Sequence, residues 1–341
     1  MKKTFLIAFA IVLMSLSGCA QKSANNTLAI AFYNCENFFD TEHDQGKEDD
    51  EFTPEGKYHY TERIYHSKLH NIATAIQQLG NENTPDGPAI IGLAEIENGH
   101  VLNDLIQQPE IESRHYKYAW FDGPDQRGID VAMLYNPKYF HLIKAMPLHV
   151  ELGGMGDKEN TRDVLHVIGV LAGDTVHVFV NHWPSRRGEE GASDAKRAAA
   201  AKVDRGAIDE IMKQQPTAKV IVMGDLNDNP VDASVTQVLG AKGDKNVRTT
   251  QLYDPMAELY NNGQGSLEYK HHWDLFDQII LSGAFLKHVG HWHFDKAEIF
   301  NKGFLVDHYK KFEGQPHRSF AGTHWINGYS DHFPVIVYLS R

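Results

Sequence analysis

The chain has 341 residues, 42% of them hydrophobic, and carries 33 Lys and Arg against 45 Asp and Glu for a formal charge of −12. A chain of this length buries enough apolar surface to be stable without disulfides, and Cys19 and Cys35 are the only cysteines. The acidic balance repels polyphosphate at long range and excludes the broad basic footprint of a sequence-specific duplex reader, but not an enzyme that needs a few phosphate contacts.

In chain order, Lys2 and Lys3 precede an apolar stretch over 5–16, which runs into Leu16-Ser17-Gly18-Cys19. Positive charge, a short apolar core and small residues make the layout of a secretory signal, and the apolar core is too short to span a bilayer. Small residues before a cysteine resemble a bacterial lipobox, so we expect a signal peptide over 1–18, lipid on Cys19, and a small polar tether over 19–27. A plain signal with an incidental cysteine is the simpler alternative. With Cys19 lipidated, Cys35 has no disulfide partner. Length alone allows two domains, but candidate site residues running from Asn34 to His332 must converge, which argues for one domain over 28–341.

The apolar run 30–33 ends in Asn34-Cys35-Glu36. The acidic stretch 44–51 reads as a solvated loop, with a cation site as the less favoured reading. Residues 61–79 place Ile64, Leu69, Ile72, Ala73, Ile76 and Leu79 at helical spacing before Gly80, and 193–212 do likewise through Ala199, Val203, Ala207, Ile208 and Ile211. The run 90–94 ends in Glu95-Ile96-Glu97-Asn98. The runs 131–135, 165–171 and 176–180 read as neighbouring antiparallel strands, the last two joined by a Gly173-Asp174 turn. Beyond them come Asn181-His182-Trp183-Pro184-Ser185, Gly224-Asp225-Leu226-Asn227 after an apolar strand, Asp277 before another, and Ser330-Asp331-His332-Phe333-Pro334 before a last one. The stretch 302–317 reads as a surface loop. Helices covering a sheet make this an α/β sandwich.

Any one of these strand ends reads equally well as a satisfied turn. Six in series, each delivering carboxylate, carboxamide or imidazole, point to chemistry at the rim of a sheet. Arg127, Arg186, Arg187 and Arg197 could grip phosphate oxygens, Arg127 first because it directly precedes a strand; a surface salt bridge is the other reading of each.

Taken in order, the motifs resemble those of the endonuclease/exonuclease/phosphatase superfamily, which has the deoxyribonuclease I-like fold. The resemblance covers roughly residues 28–339, and its most specific pieces are Gly224-Asp225-Leu226-Asn227 and Ser330-Asp331-His332-Phe333-Pro334. It implies a four-layer sandwich of two packed mixed β-sheets flanked by helices. It also implies metal ligation by Glu95 with Asn34, Glu36 and Asp331, and a His332–Asp277 pair in which the carboxylate fixes the imidazole. Asp225 and Asn227 would orient the nucleophile and bind phosphate, His182 would stand near the leaving group, and Asn181 would support phosphate binding with Arg127 and Arg197. Oxygen donors select Mg²⁺, with Mn²⁺ or Ca²⁺ also suitable, over zinc, for which there is no cysteine cluster or His-Glu-x-x-His.

The expectation is a divalent-metal-dependent phosphodiesterase, a nuclease acting on nucleic acid outside the cytoplasm, monomeric and held to the membrane through Cys19. A phospholipid or inositol-phosphate hydrolase fits the tether, although the chain shows no apolar hairpin to dip into lipid. A non-catalytic surface binding lipoprotein is disfavoured, because without catalysis there is no reason to keep buried polar groups that cost stability.

Overall fold

The structure, a computed structural model, describes residues 26–153, 160–186, 192–287 and 289–341. The expected signal peptide, Cys19, nearly all of the tether and Arg187 lie outside the described residues.

The chain begins with β1 (Thr27–Phe38), α1 (Glu62–Gln78), β2 (Ile90–Ile96), α2 (Gly99–Ile106), β3 (Lys117–Trp120) and β4 (Asp130–Tyr135). There follow β5 (Phe140–Leu148), β6 (Val164–Leu171), β7 (Asp174–His182), α3 (Ala192–Gln214) and β8 (Lys219–Asp225). The last part holds β9 (Ala241–Lys242), β10 (Leu252–Tyr253), α4 (Met256–Asn261), the hairpin of β11 (Leu267–Tyr269) and β12 (His272–Asp274), then β13 (Asp277–Ser282) and β14 (His293–Ile299). A small hairpin of β15 (Phe320–Ala321) and β16 (His324–Trp325) precedes β17 (Val335–Ser340).

Two mixed sheets result, one in the order β14-β17-β1-β2-β4-β3 and the other β5-β6-β7-β8-β13-β10-β9. The pairs β1/β2 and β7/β8 are parallel, so the ends of these four strands lie two by two at sheet edges. Antiparallel pairing brings the start of β13 to the end of β8, Asp277 opposite Asp225, and the start of β17 to β1, Val335 opposite Phe32.

Strand alternation builds the layers. In β8, Ile221 and Met223 enter the core shared with the first sheet, while Val220 and Val222 face Ala200, Ala201 and Ile208 of α3. Ile279 and Leu281 of β13 point inward in the same way, and Ile280 points to the α3 side. On the other flank Ile64, Leu69, Ile72 and Ile76 of α1 and Leu102 and Leu105 of α2 join the first sheet's core. The molecule is therefore a four-layer sandwich, helices outside and two sheets within, as expected. Each fully buried Val, Leu or Ile contributes about 1.5–3 kcal/mol. The two sheets come so close at Gly92 that a Cβ there would lie 2.5 Å from Met223 Sδ.

Both expected helices form within two residues of their expected ends, α1 stopped before Gly80 at φ +68°. One pairing differs from expectation. The strand over 131–135 does not neighbour β6: as β4 it pairs with β2 and β3 in the first sheet, while β6 and β7 pair in the second. All six residues of β4 are buried, and a run buried on both faces carries no mark of which sheet it joins. The β6–β7 turn also shifts by one residue, to Ala172 and Gly173 at φ 43° and 105°, which leaves Asp174 inside β7.

Candidate active site

The strand ends named above meet at one rim. At the end of β2, Ala94 pairs with Val131 and Ile96 with Asp130, so Glu95 is the extra residue of a β-bulge, with φ 62°. A bulge re-aims a side chain that regular alternation would send elsewhere. In β1 the register against β2 slips between Asn34 and Phe38, and Glu36 and Asn37 take φ of 49° and 52°. Asn227, just past β8, has φ 49°. Left-handed backbone at residues other than glycine costs free energy and persists where the surroundings over-determine it, commonly at functional sites. Here it falls on three residues of the motifs, Glu36, Glu95 and Asn227, and on Asn37 beside them.

The contacts converge on Asp225. Its Oδ2 accepts from Asn34 Nδ2 at 3.0 Å and its Oδ1 from the Asn227 amide at 2.9 Å. The Nε2 atoms of His182 and His332 stand 3.6 and 3.9 Å from Asp225 Oδ2, and His182 Nε2 is also 3.9 Å from Glu95 Oε1. His332 Nδ1 pairs with Asp277 Oδ2 at 2.6 Å, and Ser266 Oγ donates to the same oxygen at 2.5 Å. Two residues that lie 55 apart in the chain thus touch, as expected of the pair. Asp331 lies beside them, its Oδ1 3.9 Å from His332 Nε2. Glu95 Oε2 accepts from the Asn37 amide at 2.6 Å, and a Glu36 oxygen accepts from the Ser319 amide at 2.6 Å.

The electrostatics separate the two histidines. Burial opposes charge on His332, but Asp277, Asp225 and Asp331 hold its imidazolium well above the ordinary histidine range. His182 is driven the other way, first by burial and then by the positive charges of Arg162, Arg127 and His332. Burial pushes the Asp225 carboxyl up to about 6 against the pull of His332. Burial and the neighbouring Asp331 push Glu36 up to about 7. Titratable groups driven apart in one cleft are the arrangement acid–base chemistry uses.

The residues suit a hard divalent cation. Glu95, Glu36, Asp331 and the Asn34 carboxamide offer oxygen as ligand atoms, and neighbouring carboxylates add to the burial that raises the proton affinity of Asp225 and Glu36, a repulsion that a bound cation relieves.

Two of the residues expected to grip phosphate are committed to protein partners instead. Asn181 is fully buried, its Oδ1 accepting from Trp183 Nε1 at 3.0 Å and its Nδ2 donating to Asp204 at 3.4 Å. Arg197 is buried in an ion pair with Asp228, Nε to Oδ1 2.8 Å, and a second with Asp194. Spacing alone does not show that a cation near a motif is already neutralised. Arg127 is different: its side chain is partly exposed, its guanidinium Nε 3.7 Å from Asp125 Oδ1, and close enough for its charge to depress His182. Arg186 is tied to Asp228 and Asp232.

Sequence reading passed over two buried cations that hold the rim together. Arg162 donates to the carbonyls of His182 and Trp183 at 3.1 and 2.7 Å and pairs with Asp125 at 3.1 Å, fixing the end of β7. Lys68, fully buried on α1, donates to the Glu36 carbonyl and to Ser319 Oγ. Arg162 carries no motif. Lys68 does leave a signal, since it lies four residues from both Ile64 and Ile72 on the face of α1 that packs inward.

A family model described as the endonuclease/exonuclease/phosphatase family matches residues 29–341. No curated protein matches the chain by sequence. Among solved structures, truncated Caenorhabditis elegans TDP2 is 18% identical with a TM-score of 0.56, the match covering 92% of this chain and 98% of that one. D. rerio TDP2 complexed with single-strand DNA product is 15% identical, TM-score 0.55, over 92% and 99% of the two chains. The Bacteroides thetaiotaomicron mannosyl-6-phosphatase is 15% identical, TM-score 0.56, over 92% and 100%. At these identities the structures attest the fold, and the family match, spanning every strand that feeds the rim, attests the chemistry. This chain belongs to the endonuclease/exonuclease/phosphatase family and is a hydrolase of phosphate esters.

Proposed function

We propose that the chain is a Mg²⁺-dependent phosphodiesterase that cleaves nucleic acid outside the cytoplasm, a monomer whose residues 28–341 form one catalytic domain anchored to the cell envelope by lipid on Cys19. The observation that carries the catalytic part is the placement of Asp225 between a histidine driven neutral and a histidine held charged, 3.6 and 3.9 Å away. Asn34 and the Asn227 amide fix both oxygens of Asp225, leaving it oriented to accept a proton from an attacking water. His332, kept charged by Asp277, stabilises developing negative charge on phosphate oxygens, and Arg127 adds a guanidinium contact. A divalent cation held by Glu95, with Asn34, Glu36 and Asp331, would neutralise non-bridging oxygens.

The nucleic-acid part is supported by the likeness to a TDP2 structure that contains a single-strand DNA product. The charge of −12 and the commitment of Arg186 and Arg197 to protein carboxylates favour a substrate held by few phosphates, hence a single strand or a chain end. The same observation favours a second reading, a phosphomonoesterase acting on a small sugar phosphate, the chemistry named for another similar structure. Among the described residues no helix is long and apolar enough to cross a membrane; the lipid anchor rests on the residues around Cys19.

The test is a panel of single- and double-stranded oligonucleotides, bis-p-nitrophenyl phosphate, p-nitrophenyl phosphate, a hexose 6-phosphate, sphingomyelin and inositol phosphates, offered to the full-length chain with Mg²⁺ and with chelator. Cleavage of the diesters and single strands, lost on chelation, is expected. Hydrolysis confined to monoesters would replace this reading with the second.

A further inference from the structure

Beside the catalytic rim, the segment between β1 and α1 folds against the residues that follow β2. Asp44, Asp49 and Glu97 each place a carboxylate oxygen within 4.8 Å of the other two. Asp49 and Glu97 are only 2% and 3% exposed, whereas Asp44 is on the surface. Acidic clusters are common on protein surfaces and mean little alone. What distinguishes this one is Glu97 Oε1, a buried carboxylate oxygen with no hydrogen-bond partner. Its sister Oε2 is occupied, accepting from the Asp40 amide at 2.6 Å. Burying a carboxylate oxygen without a donor is strongly unfavourable unless something else neutralises it.

Protein cations do not suffice. Among the described residues no Lys or Arg forms an ion pair with any of the three; Lys47, in the same loop, turns to Asp122 at 2.9 Å and to the Gly123 carbonyl at 2.8 Å. His43 Nδ1 pairs with Asp49 at the exposed edge, where Asp50 also lies. With His43 protonated and all three carboxylates ionised, as cation binding requires, the cluster carries a net charge of −2.

We propose that Asp44, Asp49 and Glu97 form a second, non-catalytic cation site that binds Ca²⁺. Three carboxylate donors suit calcium, which takes roughly 6–8 oxygens at about 2.3–2.6 Å in flexible geometry, whereas Mg²⁺ demands a near-ideal octahedron and keeps several of its waters. A loop that supplies carboxylates from separate turns also suits the irregular coordination calcium accepts. The ion would clamp three parts of the catalytic edge. Glu97 is two residues beyond Glu95, Asp44 and Asp49 lie on the loop that continues from Glu36, and that loop is bound through the Glu48 amide to the Gln126 carbonyl at 2.6 Å, next to Arg127.

Calcium binding is measured by calorimetry and thermal melting on the chelator-treated full-length chain carrying Glu95→Gln, which removes the principal catalytic ligand, with CaCl₂ alone as the probe. The site predicts one Ca²⁺ per chain and a Tm rise of about 5 °C at a hundredfold excess over Kd. Adding Asp44→Asn, an exposed change that leaves the fold intact, weakens binding at least tenfold, and adding Glu97→Gln abolishes the rise. No calcium bound to Glu95→Gln, or an affinity untouched by Asp44→Asn, overturns the site. An equal Tm rise with Mg²⁺ at the same concentration overturns its assignment to calcium.

Discussion

The inward-facing rows of β7 and β8 carry charge at both of their ends, and the two ends behave in opposite ways. At the start, Asp174 pairs with Lys219 Nζ at 2.6 Å and with His291 Nδ1 at 2.8 Å, and accepts the amides of His291 and Trp292. At the finish, four inward positions on from Asp174 and three on from Lys219, stand His182 and Asp225 among further carboxylates. Both Asp174 and Asp225 pay for burial, yet the donors around Asp174 bring its carboxyl down to about 2, whereas burial takes Asp225 up to about 6. One end is electrostatically complete. The other is left incomplete, and incompleteness is what allows a water, a metal or a phosphate to enter.

The largest effect tests the incomplete end directly. Glu95→Gln keeps the bulge and the shape of the side chain but removes a negative charge from the set that suits a cation, so turnover should fall by about 10³-fold or more. Melting temperature should change little, because the carboxylate is one of several mutually repelling groups. Steady-state rates and a thermal melt check this, and activity persisting in excess chelator would show that the rim does not work through a metal.

A smaller loss should follow from the His332–Asp277 pair. Each single alanine substitution is expected to lower kcat by about 10²–10³-fold, and the double variant should be little worse than the poorer single one, because either change disables the same unit. Losses that multiply in the double variant would mean the two side chains act separately, and the 2.6 Å contact would then be structural.

At the complete end the cost should appear in stability rather than rate. Lys219→Met strands Asp174 and should destabilise the fold by about 3–5 kcal/mol, with kcat per folded molecule unchanged. The pH dependence follows by linkage. Asp174 has its carboxyl depressed to about 2, so its contribution is present above the ordinary carboxylate range near 4 and is lost as pH falls towards about 2. Asp174→Asn should flatten that part of the stability curve in denaturant melts between pH 4 and 2. A variant with the wild-type acid slope, or with altered kcat, would erase the distinction between the two ends.

Much of the rim was legible because its residues stand where strand periodicity breaks. Asn34, Glu95, His182, Asp225, Asp277 and His332 each border an apolar run, and local alternation with length is enough to find such borders. The helices α1 and α3 were legible for the same reason, their apolar spacing being a local property. What local pattern does not hold is partnership. Arg197 and Asn181 sit beside motifs as Arg127 does, yet Asp228, Asp194, Trp183 and Asp204 claim them. Asp228 lies 31 residues beyond Arg197, and no spacing rule joins them.

The sequence by itself determined the elements, the order of the polar strand ends and the oxygen-rich character of the site, because each depends on neighbours within a few residues. The tertiary structure alone decided that β4 joins β2 and not β6, that a bulge turns Glu95 toward His182, that Lys68 and Arg162 brace the rim, and that Glu97 meets Asp44 and Asp49. The physical reason is common to all four. Sheet pairing and the neutralisation of buried charge are contacts between segments far apart in the chain, settled when the two sheets close on one another and water leaves.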